Sequence, residues 1–347
     1  MQLILAAEEC ELFLLEELRR AHPAGGHERR DGRWIASDLP LQSGAAPSLV
    51  FARQLLVEPV EHTAPSVSAW SALLLEAILL QVPESQPWRM HVAPCYGSGT
   101  AGLHRCQLIL ASVRDVLKRK HRRRLRELRE DNTPFTNADS LVQVVLTATD
   151  RGLLSVATAP MPFVLRRVVS PFSLGEIPVA SDKAAPSRAF AKLVEAEQRL
   201  GRRIEPGETC VDLGASPGSW TCVALDRGSR VTAVDRSPLR EDLMRHARLH
   251  FARGDAFAFT PDKPMDWLLC DVIAAPERSI ALLLAWLRAK LARCFVVTIK
   301  FKGHADYALL DELKHALPEY CDEWFLTRLC ANKNEVCVFG IAAGNRS

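Results

Sequence analysis

The second half of the chain alternates apolar, strand-like runs with helical patterns, and this rhythm limits the possible folds more than any other feature. The strand-like runs are ETCVDLGA, SRVTAVDR, MDWLLCDV, RCFVVTIK and EVCVFGIA, and the helical patterns include SIALLLAWLRAKLA and YALLDELKHAL. Strands that alternate with helices form a mostly parallel sheet covered by helices. From about residue 186 onward, the sequence predicts a doubly wound, Rossmann-like α/β domain.

The first half is less regular and predicts smaller α+β units. It contains strand-like LILAA, RWIAS and LVFARQLLV, a helix near SVSAWSALLLEAILLQV, and a hairpin pattern around Asp150-Arg151-Gly152. The stretch SPFSLGEIPVASDKAAPS is rich in Pro, Ser and Ala, as is typical of a linker. We predict a ferredoxin-like α+β subdomain at 1–75, a second α+β region at 76–168, a linker at 169–186 and the α/β domain at 187–347.

Composition excludes several classes of protein. With 347 residues, 48% hydrophobic and 24% charged, the chain is expected to be globular, with more than one domain. The first eighteen residues carry five Glu and no basic start, unlike a signal peptide, and no apolar run is long enough to span a bilayer. The ten cysteines include no C-x-x-C pair, which favours buried thiols in a reducing compartment over disulfides or metal ligands. We therefore expect a cytoplasmic protein without metal.

A strongly basic run lies in the first half. Residues 114–129 hold nine Lys or Arg against two acids. A solvated helix face is one interpretation, but cations on every side of one helix repel each other unless a polyanion compensates. A nucleic-acid backbone is the simplest such partner. The candidate RNA-binding residues are Arg114, Lys118, Arg119, Lys120, Arg122, Arg123, Arg124 and Arg126.

The stretch VDLGASPGSW places a glycine-containing turn directly after a buried strand. Such turns lie at the carboxyl edge of a parallel sheet, where ligands bind. A dinucleotide site requires G-x-G-x-x-G, whereas the spacing here is Gly214-x-x-x-Gly218 without the middle glycine. S-adenosylmethionine (AdoMet) has no phosphate and needs a tight bend beside carboxylates. Asp235 and Asp255 follow the next strands, where they are expected to accept hydrogen bonds from ribose hydroxyls and from an adenine amino group.

Extended to VDLGASPGSWT, the same stretch resembles the first motif of the FtsJ-like RNA ribose 2′-O-methyltransferases, D-L-G-x-x-P-G-G-W/F. The resemblance implies AdoMet as cofactor and a catalytic Lys-Asp-Lys-Glu tetrad. Candidates in the expected order are Lys192, Asp271, Lys300 and Glu335. The implied cofactor-binding residues are Asp212, Gly214, Ser216, Pro217, Gly218, Ser219, Trp220, Asp235, Asp255 and Asp271.

Two further stretches, VFARQLL and APSRAFAKL, resemble the bacterial RlmM proteins, which methylate a cytidine ribose of 23S ribosomal RNA and carry a THUMP RNA-binding domain. The resemblance implies that residues 76–168 are THUMP-like and that the partner is 23S ribosomal RNA. Ser216 stands where these proteins commonly have Cys, and Ser219 replaces the second glycine of the motif. Both are small, so the turn is expected to survive.

We expect Lys300 to deprotonate or direct the ribose hydroxyl, Asp271 to orient Lys300, and Lys192 and Glu335 to position the nucleotide. A base-amino methyltransferase is disfavoured, because Asp271 is followed by Val272-Ile273 instead of two prolines and an aromatic residue. Three interpretations stay open beside this one: another RNA such as transfer RNA as substrate, an RNA-binding protein without turnover, or a nicotinamide dehydrogenase.

Overall fold

The computed structural model describes residues 1–41, 48–97, 99–130, 133–177, 185–301 and 307–344. The chain divides into two compact units, Met1–Ile177 (unit 1) and Pro178–Ser347 (unit 2). The division falls within the predicted linker 169–186, of which residues 178–184 lie outside the described residues. No helix within the described ranges is long and apolar enough to cross a membrane.

The first sheet of unit 1 is antiparallel and has four strands in the order β2-β3-β1-β4. The strands are β1 (Gln2–Ala6), β2 (His27–Arg29), β3 (Trp34–Ser37) and β4 (Ala52–Leu56). Helix α1 (Glu11–Ala21) buries Leu14 and Leu18, which are one turn apart and so lie on one face. This subdomain is the α+β unit predicted for the start of the chain.

A second four-stranded sheet of unit 1 has the order β5-β8-β7-β6. Its elements are β5 (Val60–Thr63), α2 (Val67–Gln81), β6 (Trp88–Pro94), α3 (Leu103–Lys120), α4 (Arg122–Glu127), β7 (Ser140–Leu146), β8 (Arg151–Ala157) and α5 (Phe163–Arg166), followed by a 3₁₀ turn at Ser173–Gly175. Strands β7 and β8 form the predicted hairpin, with Gly152 opposite Leu146. Strand β6 runs parallel to β7, because helices α3 and α4 return the chain between them.

The boundary placed at residue 75/76 falls inside helix α2. Trp70 and Leu74 of α2 pack in the same core as Ile109 and Val113 of α3, so the whole helix belongs to the second sheet. The two sheets separate between β4 and β5 instead. The apolar pattern of α2 is continuous through residue 75 and offers no signal for a break there.

The basic run is two helices, whereas the sequence predicted one long helix becoming basic. Helix α3 ends at Lys120 and α4 begins at Arg122, because His121 between them has a non-helical backbone (φ −136°, ψ 52°). The break changes which side of the run faces the core, and Arg124 becomes buried.

Unit 2 is the doubly wound α/β domain. Its seven strands have the order β11-β10-β9-β12-β13-β15-β14, in which β9 to β13 pair in parallel and β15 is antiparallel to both neighbours. The strands are β9 (Thr209–Leu213), β10 (Arg230–Asp235), β11 (Leu249–Arg253), β12 (Met265–Cys270), β13 (Ala292–Lys300), β14 (Cys321–Thr327) and β15 (Glu335–Ala342). The helices are α6 (Phe190–Leu200), α7 (Ser219–Asp226), α8 (Glu241–Met244), α9 (Pro276–Arg288) and α10 (Leu309–Tyr320).

The strand order of unit 2 reverses direction between β9 and β12. The chain proceeds from β9 outward to β10 and β11, and then returns to place β12 on the other side of β9. In open α/β sheets, a crevice forms at such a point, outside the carboxyl ends of the strands. The loops that follow β9 and β12 therefore border the expected ligand site.

Candidate functional site

The turn after β9 depends on two glycines. Gly214 has φ 73°, and a Cβ there would lie 3.0 Å from the Val272 Cα atom. Gly218 has φ 110°, and a Cβ there would lie 2.4 Å from the Leu243 Cδ1 atom. L-residues with side chains rarely adopt these backbone angles, and neither position has room for one. Ser219 is the first residue of α7 with ordinary helical geometry, which explains why a serine is tolerated there.

A cavity of about 340 Å³ opens beside this turn. Most of the predicted cofactor-binding residues line it, together with Lys300: Asp212, Gly214, Ser216, Pro217, Ser219, Trp220, Asp235 and Asp271. The sequence did not indicate five further lining residues: Ser187, Ala189, Ala215, Val272 and Ile273. Gly218 does not line the cavity and acts through the backbone of the turn.

A second cavity of about 200 Å³ shares four residues with the first and contains Asp255. The shared residues are Gly214, Asp235, Val272 and Ile273. The Asp255 carboxylate accepts a hydrogen bond from the Phe257 backbone N–H (2.9 Å) and one from the Arg236 guanidinium (2.7 Å), and these bonds lower the pKa of Asp255. Asp255 is therefore an ionised acceptor in the cavity that adjoins the first one.

Asp235 ends β10 and contributes to both cavities. Its Oδ2 accepts a hydrogen bond from the Ser216 backbone N–H (3.0 Å), and its Oδ1 accepts one from Ser237 N–H (2.8 Å). Each carboxylate oxygen has lone pairs for a further donor. The side chain is thus held in one orientation with acceptor capacity left, which suits a ligand that carries hydroxyl groups.

Asp212 lies at the floor of the larger cavity, with 2% of its surface exposed. Burial raises the pKa of this carboxyl to about 7, against the effect of a hydrogen bond from the Thr221 hydroxyl group (2.6 Å). The negative charges of Asp271 and Asp235 raise the pKa further. Asp212 therefore titrates near neutrality and carries a proton below pH 7.

The four predicted tetrad residues lie together. Lys300 at the end of β13 is the register partner of Glu335 at the start of β15, so their side chains emerge side by side. Asp271 directly follows β12, and Lys192 comes from α6. The Asp271 Oδ1 atom lies 2.9 Å from Lys300 Nζ, and Asp271 Oδ2 lies 3.2 Å from Lys192 Nζ. Asp271 therefore bridges the two lysines.

Lys192 also pairs with Glu335, with 2.6 Å between Nζ and Oε1. Burial of the Lys192 ammonium group opposes its charge, but Asp271 and Glu335 outweigh burial and raise the pKa of Lys192. Lys192 is therefore a charged residue that is buried beside two carboxylates. Only 8% of its side chain is exposed, compared with 21% of Lys300.

Sequence reasoning missed two side chains that hold the tetrad. The Thr298 hydroxyl group donates to Asp271 Oδ1 at 2.8 Å, and the Asn332 amide donates to Glu335 Oε1 at 3.2 Å. Thr298 is two residues before Lys300 on β13, so the alternation of a strand would have placed both on one face. Asn332 lies in an irregular loop, where no periodicity gives the direction of a side chain.

The basic run of unit 1 exposes most of its predicted cations. Lys118, Arg119, Lys120, Arg122 and Arg126 are exposed, and so are Arg114 and Arg123, which lie within salt-bridge distance of Glu130 and Glu127. We call these seven residues the basic surface.

Arg124 was wrongly included in the predicted set of RNA-binding residues. Its guanidinium is buried and donates to the carbonyl oxygens of Pro83, Ile78 and Val82, and it pairs with Glu127. Because these acceptors occupy the guanidinium inside the protein, Arg124 has a structural role.

The described part of the chain contains no candidate metal site. Those residues include no group of three or more His, Cys, Asp or Glu side chains placed to hold a metal ion. All ten cysteines are free thiols, seven of them buried.

Comparison with known proteins finds a family model that matches most of unit 2. Residues 185–315 match the sequence model of the family described as FtsJ-like methyltransferase. Over these residues, unit 2 is similar to FtsJ-like methyltransferases. The matched segment includes β9 to β13, the glycine turn and three of the four tetrad residues, and Glu335 lies beyond it.

Several relatives match this region and carry the same name. Proteins named "Ribosomal RNA large subunit methyltransferase M" are 40% identical over 147 residues in Ectopseudomonas mendocina and 44% identical over 119 residues in Halorhodospira halophila. These matches cover 40% and 33% of this chain, and 42% and 35% of the relatives. The identities and the shared name support the predicted RlmM resemblance over the FtsJ region, and the chain matches less than half the length of either relative.

Among solved structures, TrmN from Thermus thermophilus aligns with 98% of this chain and 99% of that chain, at 18% identity and a TM-score of 0.33. This score is too low to support a conclusion. The fold assignment follows from the strand order of unit 2 and from the family match.

Proposed function

We propose that this chain transfers a methyl group from AdoMet to the ribose 2′-hydroxyl of a cytidine in 23S ribosomal RNA. The observation that carries the proposal is the Asp271 carboxylate, which bridges Lys192 and Lys300 at the edge of a cavity lined by the glycine turn. The names of the relatives support ribosomal RNA as the substrate class. The FtsJ-like family supports methyl transfer as the reaction.

The residues of the cavity fit AdoMet better than a dinucleotide. Three carboxyl groups, from Asp212, Asp235 and Asp271, line the larger cavity. Asp235 pairs with no cation in the described part of the chain and would repel a pyrophosphate, whereas the three groups together offer hydrogen-bond acceptors for a ligand with an ammonium and ribose hydroxyl groups. Gly214 lines the cavity without a side chain, which leaves its backbone open to close approach by a ligand. This donor set argues against a nicotinamide dehydrogenase.

We assign parts of the cofactor to particular residues. The turn 214–219 and Asp271 would hold the methionine end, Asp235 would accept from the ribose hydroxyls, and Asp255 would accept from the adenine amino group. Asp235 is already fixed by two backbone N–H groups, so binding would not require it to move. Preorganisation of this kind reduces the entropy lost on binding.

When bound, AdoMet supplies an electrophilic methyl group on a sulfonium, and the residues of this chain must hold the 2′-oxygen of the RNA in line with it. Lys300 lines the cavity, and its Nζ atom is held by both the side chain and the backbone carbonyl of Asp271, at 2.9 and 2.8 Å. We assign to Lys300 the hydrogen bond that directs the 2′-hydroxyl, and the neutral amine form of Lys300 would accept the proton that this hydroxyl loses on methyl transfer. Exact placement of the attacking oxygen contributes much of the rate in such a displacement.

Asp271, Lys192 and Glu335 would keep Lys300 and the nucleotide in place. Thr298 and both lysines donate to the Asp271 carboxylate, so it cannot rotate without losing several charge-assisted hydrogen bonds. Glu335 is largely buried, with 10% of its side chain exposed, and we assign it as an acceptor for the nucleoside.

The basic surface of unit 1 would hold the RNA. Its cations are exposed, whereas the lysines of the tetrad are paired with carboxylates. Exposed Lys and Arg residues bind phosphates without reading sequence, which suits a module that grips a folded RNA. A THUMP-like role for residues 76–168 is part of this proposal.

Incubation of the protein with radiolabelled AdoMet and three separate substrates tests the proposal. The substrates are deproteinised large-subunit RNA, large-subunit particles and transfer RNA. We expect alkali-resistant label in ribosomal RNA, because a 2′-O-methyl group blocks cleavage at that nucleotide. Label in transfer RNA alone would move the substrate to another RNA. Cofactor binding without label in any RNA would favour an RNA-binding protein without turnover.

A further inference from the structure

The loop between β14 and β15 contains an asparagine whose amide has a fixed orientation. Asn332 Nδ2 donates to Glu335 Oε1 at 3.2 Å, and Asn332 Oδ1 accepts from the Leu329 backbone N–H at 2.6 Å. A backbone N–H can only donate and a carboxylate can only accept, so the reversed amide would lose both bonds. The two contacts therefore define the direction in which Asn332 meets Glu335.

This loop is anchored on the helix that carries Lys192. Glu195, one turn further along α6, is fully buried and accepts a hydrogen bond from the Cys330 backbone N–H at 2.8 Å. Arg199 of the same helix pairs with the Glu195 carboxylate at 2.8 Å. Lys192 and the loop around Asn332 are thus held by one rigid element.

The two donors to Glu335 meet at the same oxygen. Lys192 Nζ lies 2.6 Å from Oε1, and the Asn332 amide reaches Oε1 from the loop. Rotation of the carboxylate would break both contacts, and both are largely buried, with Asn332 8% and Glu335 9% exposed. A buried amide or carboxylate left without its partner is costly. Oε1 is thereby occupied, and Oε2 is left to bind a further donor.

Resting on the proposed function, we propose that Asn332 is a positioning residue for the acceptor nucleoside. It fixes Glu335 Oε1 on Lys192, so that Oε2 accepts a hydrogen bond from the nucleotide to be methylated. Asn332 does not touch the reacting atoms and acts through the orientation of Glu335.

Asn332→Asp tests this role with almost no change in shape. The new carboxylate still accepts from Leu329 N–H, but an oxygen replaces the amide that faced Glu335. We expect kcat for methyl transfer to fall about 10- to 100-fold at neutral pH, as a displaced positioning group causes. The acid limb of the pH–kcat profile should move to higher pH, because two adjacent carboxylates retain a shared proton. AdoMet affinity by calorimetry should stay within about twofold.

Lys333→Gln is the matched control. It changes the charge by the same amount on the adjacent, exposed side chain and does not touch Glu335. We expect its acid limb to coincide with that of the unmodified protein. An equal shift in Lys333→Gln would attribute the effect to net charge and overturn the inference.

Asn332→Ala separates loss of the amide from added repulsion. It should lower kcat while moving the acid limb less than Asn332→Asp. All variants are assayed below their melting transitions, so that the folded enzyme is compared. If either Asn332 variant is folded and retains kcat within twofold, with an unmoved acid limb, Asn332 does not position Glu335. Failure of the unmodified protein to methylate any RNA would instead count against the proposed function.

Discussion

The two units use cations in opposite ways. In unit 1, Lys118, Arg119 and Lys120 are exposed at the end of helix α3, where solvent screens their charges. In unit 2, Lys192 and Lys300 lie within hydrogen-bonding distance of Asp271. Exposed cations contribute similar increments to phosphate binding, so one can replace another. A paired cation has a role that depends on its place in the hydrogen-bonded site. A substitution should therefore reduce binding gradually in unit 1 and abolish a specific step in unit 2.

Lys300→Ala tests the unit 2 side of this comparison and should have the largest effect. Loss of the group that directs the hydroxyl is expected to lower kcat for methyl transfer about 10³-fold. AdoMet affinity should change little, because Lys300 is only one of many residues that line the cavity. Label incorporation gives kcat and calorimetry gives affinity.

Lys263→Ala is the control for Lys300→Ala, since Lys263 is exposed on a loop of the same unit. It should retain full kcat. Retained activity in Lys300→Ala would reject the assignment of Lys300 and, with it, the distinction between the cations of the two units.

The neighbours Arg123 and Arg124 allow an exposed cation and a buried, paired cation to be compared inside unit 1. Arg124→Gln leaves three carbonyl oxygens and Glu127 without their buried partner, which should lower the free energy of unfolding by about 3 kcal/mol. Arg123→Gln removes an exposed charge and should change the free energy of unfolding by less than about 0.5 kcal/mol. Denaturant unfolding of the full chain measures both. Equal losses would show that burial does not distinguish these arginines.

Asp212 extends the comparison to buried acids. Its pKa of about 7 lies above that of an unfolded aspartate, so the folded state keeps a proton that the unfolded state has lost. Stability should therefore fall as pH rises from about 4 to 7, by at most about 1.4 kcal/mol per pH unit from this group, and level off above. In Asp212→Asn this component of the slope should vanish. Thermal melts across pH measure it, and parallel curves for the two proteins would contradict the shift.

The sequence predicted those parts of the site that follow from strand ends. Asp235 and Asp271 come directly at or after buried strands, and parallel strands bring their carboxyl ends to one edge. Glu335 and Lys300 come from an antiparallel pair whose register cannot be read from either strand alone. The resemblance to a known motif supplied that pairing.

Other features depended on local backbone geometry. Which of the adjacent arginines at 122–124 points inward is decided by the single non-helical residue His121. The contact of Asn332 with Glu335 is decided by an irregular loop. In both cases the residue type permits several side-chain directions, and the conformation of the folded backbone selects one of them.

Replacement of Lys118, Arg119 and Lys120 by Gln tests the unit 1 side and should have the smallest effect on turnover. RNA affinity should fall, and the slope of log affinity against log salt should become shallower by about 0.7–0.9 for each phosphate that the protein no longer neutralises. The value of kcat at saturating RNA should not change, since these side chains belong to the other unit. Filter binding at several salt concentrations gives the slope.

The matched control for this triple variant neutralises Arg19, Arg20 and Arg29, which are exposed elsewhere in unit 1. Both triple variants lose the same charge, so a general electrostatic effect would change their slopes equally. A change confined to the first variant places phosphate contacts on the basic surface, where each cation contributes a similar increment. A loss of kcat in that variant would mean that a cation of unit 1 takes part in the chemistry, and the contrast between the two units would fail.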